Sequence, residues 1–183
     1  EGGKRHSIFG TTYAGLYCYN MNDLIEVTGI YGTIPTTQFV QKINGIISMT
    51  GEKLHERQFI DAVNLAQEET GTKLKFFVGF ADVQNSVYHI YYEPENESVS
   101  EDEIKKLNET VDAKLKEVNM EYAAKRDSLR IALPVPHVMI RNSFETYKEN
   151  CIKSGNGRDG QFKLNLLMQD EKRRAMFDVL VKN

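Results

Sequence analysis

The strongest constraint on how this chain folds is an apolar stripe, Ile104, Leu107, Val111, Leu115 and Val118, at three- and four-residue spacing. That spacing marks one face of an amphipathic helix. Ser100, followed three residues later by Glu103, is a capping-box signature at its start. Burying such a stripe contributes on the order of 10 kcal/mol before entropy is subtracted, so the helix needs an apolar surface to lie on. The neighbouring segments offer a sheet. Residues 74–81 and 87–92 are rich in β-branched and aromatic side chains and read as strands joined by the polar turn 82–86. Upstream, 46–49 reads as a strand and 56–69 as a helix, with Phe59, Ile60, Val63 and Ala66 facing inward and Gly71 as the stop. Downstream, Pro134 and Pro136 bracket the entry to a strand at 137–140.

From Ile46 the order is therefore strand, helix, strand, strand, helix, strand. This is a ferredoxin-like α+β arrangement, a mixed or antiparallel sheet with helices on one face. Two extra C-terminal helices follow. One starts at Ser143, with Phe144, Tyr147 and Cys151 on one side; Asp170 opens the other, with Met176, Phe177 and Leu180 as its apolar positions. A glycine-rich loop, 155–160, separates them.

Three earlier strands, 7–12, 24–31 and 38–43, do not fit that unit and form a small β element of their own. Between the first two, 14–23 is rich in Tyr and Asn, with Gly15 as its turn. Asn44-Gly45 is a hairpin signal leading into 46–49 and lies near the boundary. The expected division is 1–43 and 44–183. An incomplete β element leaves unpaired edges and apolar faces, so residues 7–43 are expected to contact another chain, a second copy of this one included.

Composition sets outer limits. With 183 residues, a net charge of -3 and 27% charged residues, the chain is an ordinary globular domain without the basic face of a nucleic-acid binder. Lys172-Arg173-Arg174 is too short a run to change that and reads as the solvated side of the last helix. No apolar stretch approaches the length of a spanning helix, so no membrane partner is expected. Cys18 and Cys151 are far apart and make neither a disulfide framework nor a zinc pattern, which favours a reducing cytoplasm. His55, His89 and His137 fall on separate elements without ligand-like spacing; no metal site is expected from them. Tyr88, Tyr91 and Tyr92 are explained by sheet packing. The chain opens Glu1-Gly2-Gly3-Lys4-Arg5-His6 without Met and enters a strand almost at once, which reads as truncation.

Composition and order give no activity. Short motifs in a fixed order give one. The first is Gly15-Leu16-Tyr17-Cys18-Tyr19-Asn20-Met21-Asn22-Asp23-Leu24-Ile25, followed by Val27-Thr28-Gly29. The second is Phe39-Val40-Gln41-Lys42-Ile43-Asn44-Gly45, after Pro35, and then Ser48-Met49-Thr50-Gly51-Glu52-Lys53-Leu54. The third is Gly160-Gln161-Phe162-Lys163. Together they resemble the C-terminal part of the auxin-responsive Gretchen Hagen family of acyl-acid amido synthetases, members of the acyl-adenylate-forming superfamily. The resemblance runs over almost the whole chain. It departs from the commoner family pattern at Cys18 and Asn20, where Arg is usual, and at Asn22, where Gly is usual.

The resemblance implies ATP-binding roles for Asp23, on the ribose hydroxyls, and for Lys53, toward the phosphates. It implies a catalytic role for Lys163 in the adenylation step. A carboxylate can accept from two neighbouring hydroxyls, and a lysine can offset charge on transferring phosphoryl oxygens. The implied parent enzyme uses ATP and Mg2+ to adenylate a carboxylic acid, then transfers the acyl group to an amino acid. Residues 1–43 would end its N-terminal adenylating domain and 44–183 would be the C-terminal lid, with 40–45 as hinge. This fragment alone would be inactive, its N-terminal partner domain being missing. Two other readings compete: a non-catalytic ferredoxin-like small-molecule-binding or assembly module, and the lid of an acyl-CoA ligase.

Overall fold

A computed structural model describes residues 4–42, 45–153 and 164–182. The chain divides into two compact units, Glu1–Ile46 and Ile47–Asn183.

The first unit is a three-stranded antiparallel sheet of β1 (Arg5–Gly10), β2 (Tyr19–Tyr31) and β3 (Ile34–Lys42), in the order β1-β2-β3. Two of its strands are longer than the sequence suggests. β3 begins before Pro35, because proline is tolerated where a strand has a free edge and β3 is the edge. β2 and β3 are joined by a tight turn with Gly32 at φ 62, which puts Tyr31 opposite Ile34. β2 also starts early, so the stretch around Asp23 is the middle of the central strand, with Asp23 opposite Lys42. In this stretch Gly15 makes the expected turn at φ 93, and the other left-handed residue is Cys18 (φ 46), not Asn22.

The second unit is built around a four-stranded sheet. Its elements are β4 (Ile46–Ile47), β5 (Leu54–His55), α1 (Glu56–Thr70), β6 (Leu74–Asp82), β7 (Val87–Pro94), α2 (Glu101–Val118), α3 (Met120–Asp127), β8 (Val135–Val138), α4 (Ser143–Lys153), β9 (Leu167–Met168) and α5 (Glu171–Asp178). The sheet order is β8-β7-β6-β9: β6 and β7 are antiparallel, while β8 and β9 run parallel to their neighbours. The strand expected at 46–49 does not enter this sheet. It shortens to two residues and pairs with β5, because Gly51 (φ 101) reverses the chain immediately after it.

The period-2 alternation of β6 and β7 feeds two cores. Ala81, Tyr88, Ile90 and Tyr92 face α1 and α2, whose Phe59, Val63, Leu107, Val111 and Leu115 are fully buried. Val78, Phe80 and Tyr91 face the other way, toward Tyr147 of α4 and Phe177 of α5. The two extra helices thus cover the second face of the sheet. Ser100 caps α2 as its sequence foretells: its hydroxyl accepts from the Glu103 amide, and the Glu103 carboxylate accepts from the Ser100 amide at 2.8 Å. α3 is not announced by the apolar pattern. It begins because Asn119 ends α2 and caps the next helix, accepting from the Tyr122 amide at 2.9 Å. Among the described residues no helix is long and apolar enough to cross a membrane.

Candidate functional site: the 48–55 turn and its neighbours

Lys53 stands on a turn organised by its neighbour. Glu52 is fully buried, and its carboxylate accepts from the amides of Met49 (2.9 Å) and Thr50 (2.8 Å) and from the hydroxyls of Thr50 (3.0 Å) and Tyr88 (2.9 Å). Burial alone would push the Glu52 carboxyl up; the hydrogen bonds outweigh it and hold the group below the usual carboxylate value. With Glu52 turned in, Lys53 points out and is exposed. Its backbone is clamped by the start of α3. The Lys53 amide donates to the Glu121 carboxylate at 2.8 Å, and its carbonyl accepts from Asn119 Nδ2 at 2.9 Å. Asn119 also donates to Gln58, which in turn accepts from the His55 amide and fixes the entry to α1.

Asp23 belongs to the first unit, half-buried on the central strand β2. The sequence puts Asp23 at the end of the 14–23 segment; the structure puts it within a strand. Lys163 and the rest of its motif lie outside the described residues, as do Ile43 and Asn44 of the hinge candidate.

A polar cluster that sequence spacing does not reveal lies on the α4/α5 face of the sheet. β7 and β8 pair in parallel, which brings His89 Nδ1 to 2.8 Å from His137 Nε2. His137 stacks on Tyr91 with centroids 4.5 Å apart, and the Tyr91 hydroxyl donates to Asp178. Arg174 bonds Asp82 at 2.9 Å, so this residue of the basic run is tied to the sheet rather than solvated. Asp82 also lies 3.7 Å from His89 Nε2, and the donors of Asn85, then Arg174, hold its carboxyl down at about 2. Strand pairing and the packing of α5 on the sheet make these residues neighbours; no motif spacing in the sequence does. Among the described residues, no group of three or more His, Cys, Asp or Glu side chains is arranged to hold a metal ion.

Residues 57–172 match the GH3 family C-terminal domain and residues 1–42 the GH3 family central domain. The chain belongs to the GH3 family. Where the motif resemblance assigns 1–43 to the end of an adenylating domain, the family's own division calls that stretch central. Among GH3 relatives, the chain is 34% identical over 98 residues to the indole-3-acetic acid-amido synthetase GH3.4 of Arabidopsis thaliana, covering 51% of this chain and 16% of the relative. It is 33% identical over 98 residues to the Arabidopsis thaliana 4-substituted benzoates-glutamate ligase GH3.12, covering 51% and 17%. Among solved structures, the GH3.15 acyl acid amido synthetase superposes on all of this chain with a TM-score of 0.79 at 23% identity, over 35% of its own length. A 2-hydroxyisobutyryl-CoA ligase in the postadenylation state shares the fold at a TM-score of 0.56 and 14% identity, covering 98% of this chain and 35% of that one. The chain thus spans about a sixth of these curated relatives and about a third of these solved structures.

Proposed function

We propose that this chain is the C-terminal part of an ATP-dependent acyl-acid amido synthetase, which adenylates a carboxylic acid and conjugates it to an amino acid. The observation that carries this is the order of the family domains, central then C-terminal, along one chain. In the reaction, a carboxylate oxygen attacks the α-phosphorus of ATP and pyrophosphate leaves. The amine of the amino acid then attacks the acyl carbon and AMP leaves.

The residues present suit a nucleotide. Asp23 offers a half-buried carboxylate on the central strand β2, able to accept from both ribose hydroxyls. Lys53 offers an exposed ammonium on a turn whose backbone is fixed on both sides, suited to the phosphates. Lys163 is assigned the adenylation step, where negative charge builds on the transferring phosphoryl oxygens. Mg2+ would arrive with the phosphates. The segment 40–45, close in sequence to the boundary between the two units, is the proposed hinge between half-reactions.

The three-stranded sheet exposes Phe9, Tyr31, Ile34 and Phe39, apolar surface that the N-terminal part of a longer protein, or a second copy of this chain, would cover. Cys18 is exposed and Cys151 buried, both as thiols rather than a disulfide, in keeping with a reducing cytoplasm. Likeness to the CoA ligase keeps a thiol acceptor as the second reading. The test joins this chain to the N-terminal part that the longer relatives carry. ATP, a panel of carboxylic acids and a mixture of amino acids or coenzyme A are supplied, and products are read by mass spectrometry. An amide with equimolar AMP supports the proposal, a thioester supports the ligase, and no AMP from any acid leaves a non-catalytic module.

A further inference from the structure

The turn that carries Lys53 has a second cation beside it, which neither the motifs nor the family comparisons assign. Lys125 projects from the last turn of α3, and a methyl group built on Gly51 would stand 3.6 Å from its ammonium. Lys125 is half-buried, yet its ammonium makes no hydrogen bond or ion pair among the described residues. The side chain four residues earlier on the same helix face, Glu121, would ordinarily pair with it. Glu121 instead accepts from the Lys53 amide, and the other nearby carboxylate, Glu52, is turned inward to Met49, Thr50 and Tyr88. A lysine ammonium with no acceptor of its own is available to an anion that comes to it. Gly51, at φ 101, has no side chain of its own to come between the turn and the Lys125 ammonium.

We propose that Lys125, Lys53 and the Gly51 backbone form a binding site for a phosphate-bearing ligand, with Lys125 as a second phosphate-binding residue. The proposal deepens the synthetase reading and rests on it for the identity of the ligand, the phosphates of a nucleotide or the pyrophosphate that leaves. An ammonium on a turn held by Glu52, Glu121 and Asn119, with a second from the adjoining helix α3 beside that turn, binds an extended dianion better than either lysine does alone, because two charge-assisted contacts form instead of one. Lys125 touches the ligand only. It does not support the turn, which is held by other side chains.

The test uses this chain as it is. Sodium pyrophosphate is titrated in without magnesium, and the amide resonances of Gly51 and Lys53 are followed by NMR. Saturable shifts are expected in the wild type. Lys125→Ala should weaken binding by about fivefold or more, the loss of one charge-assisted contact, while Lys125→Arg retains it. Lys105→Ala, about 20 Å along α2 from the end that adjoins α3, should leave affinity unchanged. A wild type that shows no saturable shift overturns the proposal, as does Lys125→Ala binding like the wild type in an otherwise unchanged spectrum. These outcomes are separable from the fate of the synthetase reading. Binding that needs Lys125, in a protein that adenylates no acid, keeps the site and removes the synthetase. Absent binding removes the site and leaves the synthetase reading to its own assay.

Discussion

Glu52 is expected to be among the most costly side chains to remove from the second unit. Its carboxylate serves the Met49 and Thr50 amides, the Thr50 hydroxyl and the Tyr88 hydroxyl, all within 3.0 Å, and it is fully buried. Hydrogen bonds to a charged acceptor contribute roughly 1.5–3 kcal/mol each, and bonds sharing one carboxylate are not additive. Glu52→Ala strands these donors in the interior and should cost about 3–5 kcal/mol, or roughly 10 °C in thermal midpoint for a chain of this size. Glu52→Gln keeps one acceptor oxygen but sets an amide NH2 against donors, and should cost about 1–3 kcal/mol. The assay is urea and thermal unfolding followed by circular dichroism. It also has a pH signature. The folded carboxyl is held below its unfolded value of 4.5, so its stabilisation is complete above that value and lost as pH falls through the folded one. The gap between wild type and Glu52→Gln should therefore narrow in acid. A Glu52→Ala midpoint within about 2 °C of the wild type would refute the reasoning.

The His89–His137 pair makes stability depend on pH in the neutral range. Burial, reinforced by Arg174 at both rings and by His89 at His137, outweighs the upward pull of Asp82 and Asp178 and pushes both imidazoles below their usual value. Unfolded histidines take up protons below about pH 6.5 while the folded pair resists, because two protonated rings would set N–H against N–H. Stability should fall from about pH 6.5 downward, and His89→Gln should flatten that slope; an identical slope in the variant would remove the pair from the account. Gly79→Ala should cost about 1–3 kcal/mol by overpacking, since its Cβ would sit 2.9 Å from Phe59 Cζ and 3.1 Å from Leu167 Cδ1. An unchanged urea midpoint would mean that the α1–sheet contact is looser than described.

Much of the fold is legible in the sequence because local chemistry and tertiary packing agree there. Ser100 and Glu103 cap α2, Asp170 caps α5 through the Arg173 amide, and the stripe from Ile104 to Leu115 is buried as its spacing demands. The misreadings turn on which segments pair, near or far in sequence, and that is not written in either segment alone. The strand expected at 38–43 extends back through Pro35 because β3 is an edge. The run at Ile46 looks like a sheet strand until Gly51 turns the chain back on it. His89, His137 and Arg174 look isolated or solvated until β7, β8 and α5 meet. At the candidate site the motif singles out Lys53, but nothing in the sequence announces the clamp on its backbone by Glu121 and Asn119, because those residues lie 66 to 68 positions away.

The central claim is that this chain completes an acid-adenylating enzyme, and ATP–pyrophosphate exchange tests it most directly. The measurement uses the longer protein, with and without a carboxylic acid, comparing the wild type with Asp23→Ala and Lys163→Ala. The account predicts acid-dependent exchange that Lys163→Ala slows by roughly a hundred- to a thousandfold, the usual loss of one preorganised donor. Asp23→Ala should mainly raise the ATP concentration required. Exchange that proceeds without acid, or that neither substitution alters, would contradict it.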